Sequence, residues 1–111
     1  MEMAFKRTGH TLTVSISGDV DHHCARQICT EVDKNFTLSG ARNMIIDLSR
    51  LNFMDSSGLG IIIGRYKNVS ALGGKIRLVV TSDTIKKLVS LSGLHKIITV
   101  CGSVSAALKG M

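Results

Sequence analysis

At 111 residues the chain is long enough for one packed core and too short for two. An apolar content of 44% supplies that core, but three Phe, one Tyr and no Trp make it aliphatic and leave no aromatic platform for stacking single-stranded nucleic acid. The formal charge of +6 is scattered over Lys6, Arg7, Arg65, Lys67, Lys75, Arg77, Lys86, Lys87, Lys96 and Lys109, which argues against specific nucleic-acid binding and for a partner with an acidic face.

Ala4–Arg7 and Thr11–Ser17 are predicted as two strands of an antiparallel hairpin. Leu12, Val14 and Ile16 alternate with Thr11, Thr13, Ser15 and Ser17, and Thr8, Gly9 and His10 make the turn. Gly18 is expected to end the second strand. Asp21 then reads as the N-cap of a helix in which Ala25, Ile28, Cys29, Val32 and Phe36 keep helical spacing up to Ser39 and Gly40. Asn43–Leu48, with its run MIIDL, has the form of a short strand buried on both faces, and Leu51–Met54 reads as an extended connector.

A second helix is predicted from about Ser57 to Leu72, stopped by Gly73 and Gly74. Leu59, Ile62, Ile63, Tyr66 and Val69 form its buried face, while Arg65, Lys67 and Asn68 point to water. Lys75–Val80 is the next strand. Ser82 and Asp83 open a third helix with Ile85, Leu88, Val89 and Leu91 as its apolar set, ending near Gly93. Lys96–Val100 is the last strand, and Val104, Ala107 and Leu108 mark a short terminal helix. This order predicts one α/β domain over residues 1–111: a mixed central sheet opened by a β-hairpin, parallel inner strands, and about four helices.

In such sheets binding sites gather beyond the carboxyl ends of the strands. Two acidic segments meet that criterion, GDVD after the second strand and FMDSSG beyond the third. Sharing one edge would make Asp21, Asp55 and Ser56 neighbours. The short oxygens of Asp55, Ser56 and Ser57 suit the free N–H groups of a first helical turn, so one of them is the natural N-cap. Most such residues only cap a helix. Here the serines also sit at the positive end of a helix dipole, a favourable place for a phosphoryl group. Gly58 and Gly60 weaken that first turn by roughly 1 kcal/mol each relative to alanine, which suggests a close backbone approach.

No metal or disulfide reading is supported. His22 and His23 adjoin Cys24, but neighbours on a helix diverge by about 100 degrees and chelate poorly together. Cys24, Cys29 and Cys101 are odd in number and lack a repeated short spacing. No apolar run approaches the roughly 20 residues that span a bilayer, and MEMAFKRTGH has no apolar signal core, so a soluble cytoplasmic protein without a membrane partner is expected.

Several segments together carry a family resemblance: GDVDHH at Gly18–His23, IIDLSRLNFMDSSGLGIIIGRYK at Ile45–Lys67, GGK at Gly73–Lys75 and LSGLHKII at Leu91–Ile98. On these the chain resembles the anti-sigma factor antagonists of the STAS domain family, particularly those of sporulation. The resemblance implies a partner-switching phosphoprotein. A serine kinase that is also the anti-sigma factor would phosphorylate Ser56, and a separate phosphatase would restore the serine. The unmodified form would bind the anti-sigma factor and release sigma; the phosphorylated form would not. Asp21, Asp55, Ser56, Ser57 and Gly58 are the implied partner-binding residues, with no cofactor, no metal and a monomeric free state. One departure is Asp83, where relatives often open the third helix with proline. Its charge suits a helix start.

Two other readings carry less weight. A serine hydrolase built on Ser56 or Ser57 lacks a G-x-S-x-G elbow and an oriented base, so no enzymatic activity is expected. A phosphate-binding loop would need a lysine and hydroxyl pair after Gly58 and Gly60, and none follows. An antagonist in a general stress-response pathway is the closer alternative.

Overall fold

The computed structural model describes residues 1–111. β1 (Glu2–Thr8) and β2 (Thr11–Val20) form the expected hairpin, antiparallel from Glu2 opposite Ser17 to Thr8 opposite Thr11. The chain continues through α1 (Ala25–Ser39), β3 (Asn43–Met54), α2 (Ser56–Ala71), β4 (Ile76–Val79) and α3 (Asp83–Ser92). A 3₁₀ turn at Leu94–Lys96, β5 (Thr99–Cys101) and α4 (Val104–Leu108) complete it. The sheet has the order β1-β2-β3-β4-β5, and every pairing after the hairpin is parallel. The expected class, a mixed sheet opened by a hairpin with four helices, is the one observed.

Alternation along the strands divides the sheet into two unequal faces. Leu12, Val14 and Ile16 of β2, Met44, Ile46 and Leu48 of β3, and Ile76 and Leu78 of β4 meet Ile28, Val32 and Phe36 of α1, Ile61, Ile62 and Val69 of α2, and Ile85 and Val89 of α3 in one aliphatic core. Three helices on one face of a sheet that grows in one direction give crossovers of a single hand. The opposite face is more polar. A small apolar patch of Ile45 and Val79 lies there, closed by Ala107 of α4 and edged by Cys101, Val104, Leu108 and Met111.

Several boundaries differ from the sequence reading, each for a physical reason. Gly18 does not end β2. It takes φ +89°, the register shifts between Gly18 and Asp19, and the strand resumes to Val20. Leu51–Met54 is likewise no connector but the far end of β3, paired with that extension. The last strand is shorter than expected because Leu94–Lys96 coil into the 3₁₀ turn. On α2, Arg65 is 8% exposed rather than turned to water. Its Nε lies 2.9 Å from Asp33 Oδ1 of α1, off hydrogen-bond alignment, and its Nη1 has no acceptor. Ile61 joins the buried face, while Leu91 of α3 leaves it.

Close backbone approach decides one further position. A Cβ on Gly74 would overlap the Arg42 carbonyl. The loop from α2 to β4 is pressed there against the start of β3, where Lys75 N–H donates to Asn43 Oδ1 at 2.9 Å and Met44 N–H donates to Lys75 O at 2.9 Å.

Two leucines give the packing a direct test. Leu78 is fully buried, so Leu78→Ala should cost about 2–5 kcal/mol of unfolding free energy, measured by urea titration. Leu91 is 78% exposed, and Leu91→Ala should stay within about 0.5 kcal/mol of the parent.

Candidate functional site

The two acidic segments do share an edge. The extended ends of β2 and β3 run side by side, Asp19 opposite Phe53 and Val20 opposite Met54, and Asp55 N–H then donates to Val20 O at 3.1 Å. That bond fixes the spacing between the segment that leaves β2 and the segment that enters α2.

Asp55 is the N-cap of α2. Its backbone is extended, and its Oδ1 accepts from Ser57 N–H at 2.9 Å and from the Ser57 hydroxyl. Asp55 O accepts from Gly58 N–H at 3.0 Å. The two serines are thereby made chemically different. Ser57 is tied to the cap, whereas Ser56, at the first helical position, is exposed. The Ser57 hydroxyl bond holds the Asp55 carboxyl below its ordinary value of 3.8; burial opposes this in part, and the Ser57 N–H and the His22 imidazole and backbone add to it.

Asp21 is not the helix cap expected. Its Oδ1 accepts from His23 N–H at 2.9 Å and its carbonyl from Cys24 N–H at 3.3 Å, so it closes a turn ahead of α1. The helix itself begins at Ala25 after Cys24, with no side-chain cap. His22 and His23 lie in that turn and not on a helix. Their ring centroids are only 3.9 Å apart, and His23 Nδ1 is 3.7 Å from Asp21 Oδ1. The structure thus brings Asp21, His22 and Asp55 to one rim with Ser56, Ser57 and Gly58. The role of His22 was not legible, because it depends on the pairing of β2 with β3.

The glycines divide as well. A Cβ on Gly58 would overlap Met54 Cγ and Sδ, so this position admits the Met54 side chain beneath the helix start. A Cβ on Gly60 would meet nothing. The close approach holds for Gly58 alone.

Beside this rim lies a feature the sequence reading did not anticipate. Phe53 is 51% exposed and, with Met54, faces Ile85, Leu88 and Leu91 of α3 across an open groove of about 270 Å³. Asn52, Thr84 and Lys87 complete its walls. Exposed aromatic and aliphatic side chains next to a polar loop form a surface suited to protein contact. The signal available in the sequence was the apolar Phe53–Met54 pair directly preceding Asp55.

Two tests follow from this geometry. Gly60→Ala should stabilise the fold by about 0.5–1 kcal/mol, whereas Gly58→Ala should lower the urea midpoint through its collision with Met54. The ionised Asp55 cap should contribute its full stability above pH 4 or so and lose it as pH falls through the lowered folded value. Asp55→Asn should flatten that acid limb of the stability profile.

Comparison with known proteins agrees with the fold. The STAS domain model matches residues 2–107. The chain is 35% identical to the anti-sigma F factor antagonist of Paenibacillus polymyxa over 80% of this chain and 76% of that one. It is 30% identical to the anti-sigma-B factor antagonist of Bacillus subtilis (strain 168), covering 86% and 85% of the two. The unphosphorylated form of the anti-sigma factor antagonist SpoIIAA superposes with a TM-score of 0.81 at 26% identity over 99% of this chain and 98% of that one. The phosphorylated form of the Bacillus cell fate determinant SpoIIAA gives 0.74 at 28% identity over 97% of both. With a family model matched over nearly its whole length and its hairpin-opened parallel sheet superposing on that of SpoIIAA, this chain belongs to the STAS domain family.

Proposed function

We propose that this protein is an anti-sigma factor antagonist switched by phosphorylation of Ser56. The observation that carries the reading is the division between the serines: Ser57 is engaged by Asp55, while Ser56 is presented at the helix start. In this reading the partner is an anti-sigma factor serine kinase. Transfer of the γ-phosphoryl group of ATP to Ser56 Oγ releases ADP and the hydroxyl proton, and a phosphoprotein phosphatase reverses the mark by hydrolysis. The chain has no catalytic part in either step. It acts by binding, through Asp21, Asp55, Ser56, Ser57 and Gly58, with the adjacent Phe53 groove extending the surface.

The switch follows from charge at that rim. A phosphoserine carries about −1.5 to −2 charges. The helix dipole favours it, but the next two backbone donors of the turn are already occupied, Ser57 N–H by Asp55 Oδ1 and Gly58 N–H by Asp55 O. The dianion therefore stays in water beside an ionised Asp55 as long as the protein is free. A docked partner would strip that water away, and an unpaired charge buried at an interface typically costs roughly 2–5 kcal/mol, about 30-fold to several-thousand-fold in affinity. The fold has no reason to rearrange.

Relatives named for both the sigma F and the sigma B pathways favour two candidate partners. The sporulation pathway is the leading one, supported by the higher identity and the likeness to SpoIIAA; the stress-response pathway is the alternative.

Intact-mass analysis after incubation with ATP and each purified anti-sigma kinase should show one added phosphate mapping to Ser56. Ser56→Ala should take none and bind constitutively, while Ser56→Asp should bind poorly in calorimetric titration. Phe53→Ala should weaken binding by about tenfold or more, as expected for an aromatic anchor, without changing the urea midpoint greatly. Equal affinity of wild type and Ser56→Asp would overturn the charge mechanism, and phosphate on another residue would overturn the assignment.

A further inference from the structure

The opposite end of the sheet holds a second cavity, about 550 Å³ in volume, lined by His10, Gly40, Arg42, Asn43, Gly73, Lys75 and Met111. We propose that it is a binding site for a small, multiply charged phosphate anion, separate from the Ser56 rim. β3 connects the two places, starting at Asn43 by the cavity and ending at Met54 by the rim.

The walls select the ligand's chemistry. Three basic side chains arrive from three connections: His10 from the β1–β2 turn, Arg42 from the loop after α1 and Lys75 from the loop after α2. No acidic side chain lines the cavity. Arg65 with Asp33 is the one Arg or Lys pair with a carboxylate within 4 Å, so no carboxylate lies at ion-pair distance from Arg42 or Lys75. Two cations without a carboxylate partner, Arg42 and Lys75, favour an anion, and the forked guanidinium of Arg42 suits phosphate oxygens.

Asn43 distinguishes this cavity from a chance cluster of surface bases. It is only 7% exposed, and its Oδ1 is held by the Lys75 N–H at 2.9 Å. The carboxamide is thus fixed in one orientation, with its Nδ2 donors left for an occupant of the cavity. The surrounding backbone is already satisfied: Arg42 and Asn43 N–H both donate to His10 O, at 2.8 and 2.9 Å, which ties the hairpin turn to the β3 start. The pocket is therefore braced, and the donors it offers are side chains: Lys75 Nζ reaches Gly110 O at 3.5 Å with one of its three N–H groups and keeps the others. Met111 is its one apolar wall residue, so there is no platform for a nucleobase or acyl chain. The space exceeds a single phosphate, which favours two or more linked phosphates.

The test uses the full chain with inorganic pyrophosphate, inorganic phosphate and ADP, at matched ionic strength. Calorimetry should show saturable pyrophosphate binding, weaker phosphate binding, and ADP within about threefold of pyrophosphate because the base gains no contact. Amide shifts should concentrate at His10, Gly40–Asn43 and Gly73–Lys75, leaving Asp55–Leu59 unmoved. Arg42→Ala combined with Lys75→Ala removes two exposed side chains, and should weaken pyrophosphate binding by about tenfold or more with the amide spectrum otherwise retained. The proposal is overturned if pyrophosphate does not saturate, if the double variant binds it unchanged, if its shifts fall at the α2 start, or if ADP binds far more tightly than pyrophosphate.

Discussion

The parallel pairing of β2 with β3 is the constraint on which the rest of the molecule depends. It starts with Thr11 beside Asn43 and ends with Val20 beside Met54, so the two strands run together across the whole sheet. At one end they position the turn before α1 against the cap of α2, closed by Asp55 N–H on Val20 O. At the other they hold the hairpin turn against the β3 start through His10 O. Neither site could form on one strand alone. The shifts after Ser15 and at Gly18 let β2 continue past the centre of the sheet, where β4 no longer accompanies β3.

The parts legible in the sequence are those set by local chemistry. Alternation in Thr11–Ser17, the apolar run MIIDL and the helical spacing in α1 depend only on which residues follow one another. The cap of α2 is local in the same way, narrowed by the sequence to Asp55, Ser56 or Ser57, and the structure puts it at Asp55. The far end of β3 was misread because Leu51 and Met54 are buried while Asn52 and Phe53 are not, a spacing of three that breaks the alternation expected of a strand. Arg65 was misread because its partner Asp33 lies on another helix. Asp21 was misread as a helix cap because an acid in a turn and an acid at an N-cap use the same short-range hydrogen bonding. Gly58 and Gly60 look alike in sequence, and only tertiary contact with Met54 separates them.

The distribution of polar groups matches the division of the sheet. On the face away from α1–α3, Ser15 Oγ donates to Asp47 Oδ2 at 3.3 Å and Ser49 N–H donates to Asp47 Oδ1 at 3.0 Å, so the buried carboxylate of β3 keeps partners. Arg65 is less well served. Its ion pair is half exposed on the Asp33 side, where water screens it, and so it contributes little to stability while leaving Nη1 unpaired. The aliphatic core therefore supplies most of the stabilisation, and the charged groups chiefly shape the surfaces.

Strand order offers a last consequence, for how the chain is made. Each strand of the sheet pairs with the next one in the sequence, β1 to β5 without a jump. During synthesis an emerging strand always meets an edge already built, and no early strand has to wait for a distant partner. Both loops of the Ser56 rim are present once α2 has been translated, ahead of β4, α3, β5 and α4. Assembly on the ribosome can thus proceed strand by strand in the direction of translation, with the exposed growing edge limited to one strand at a time.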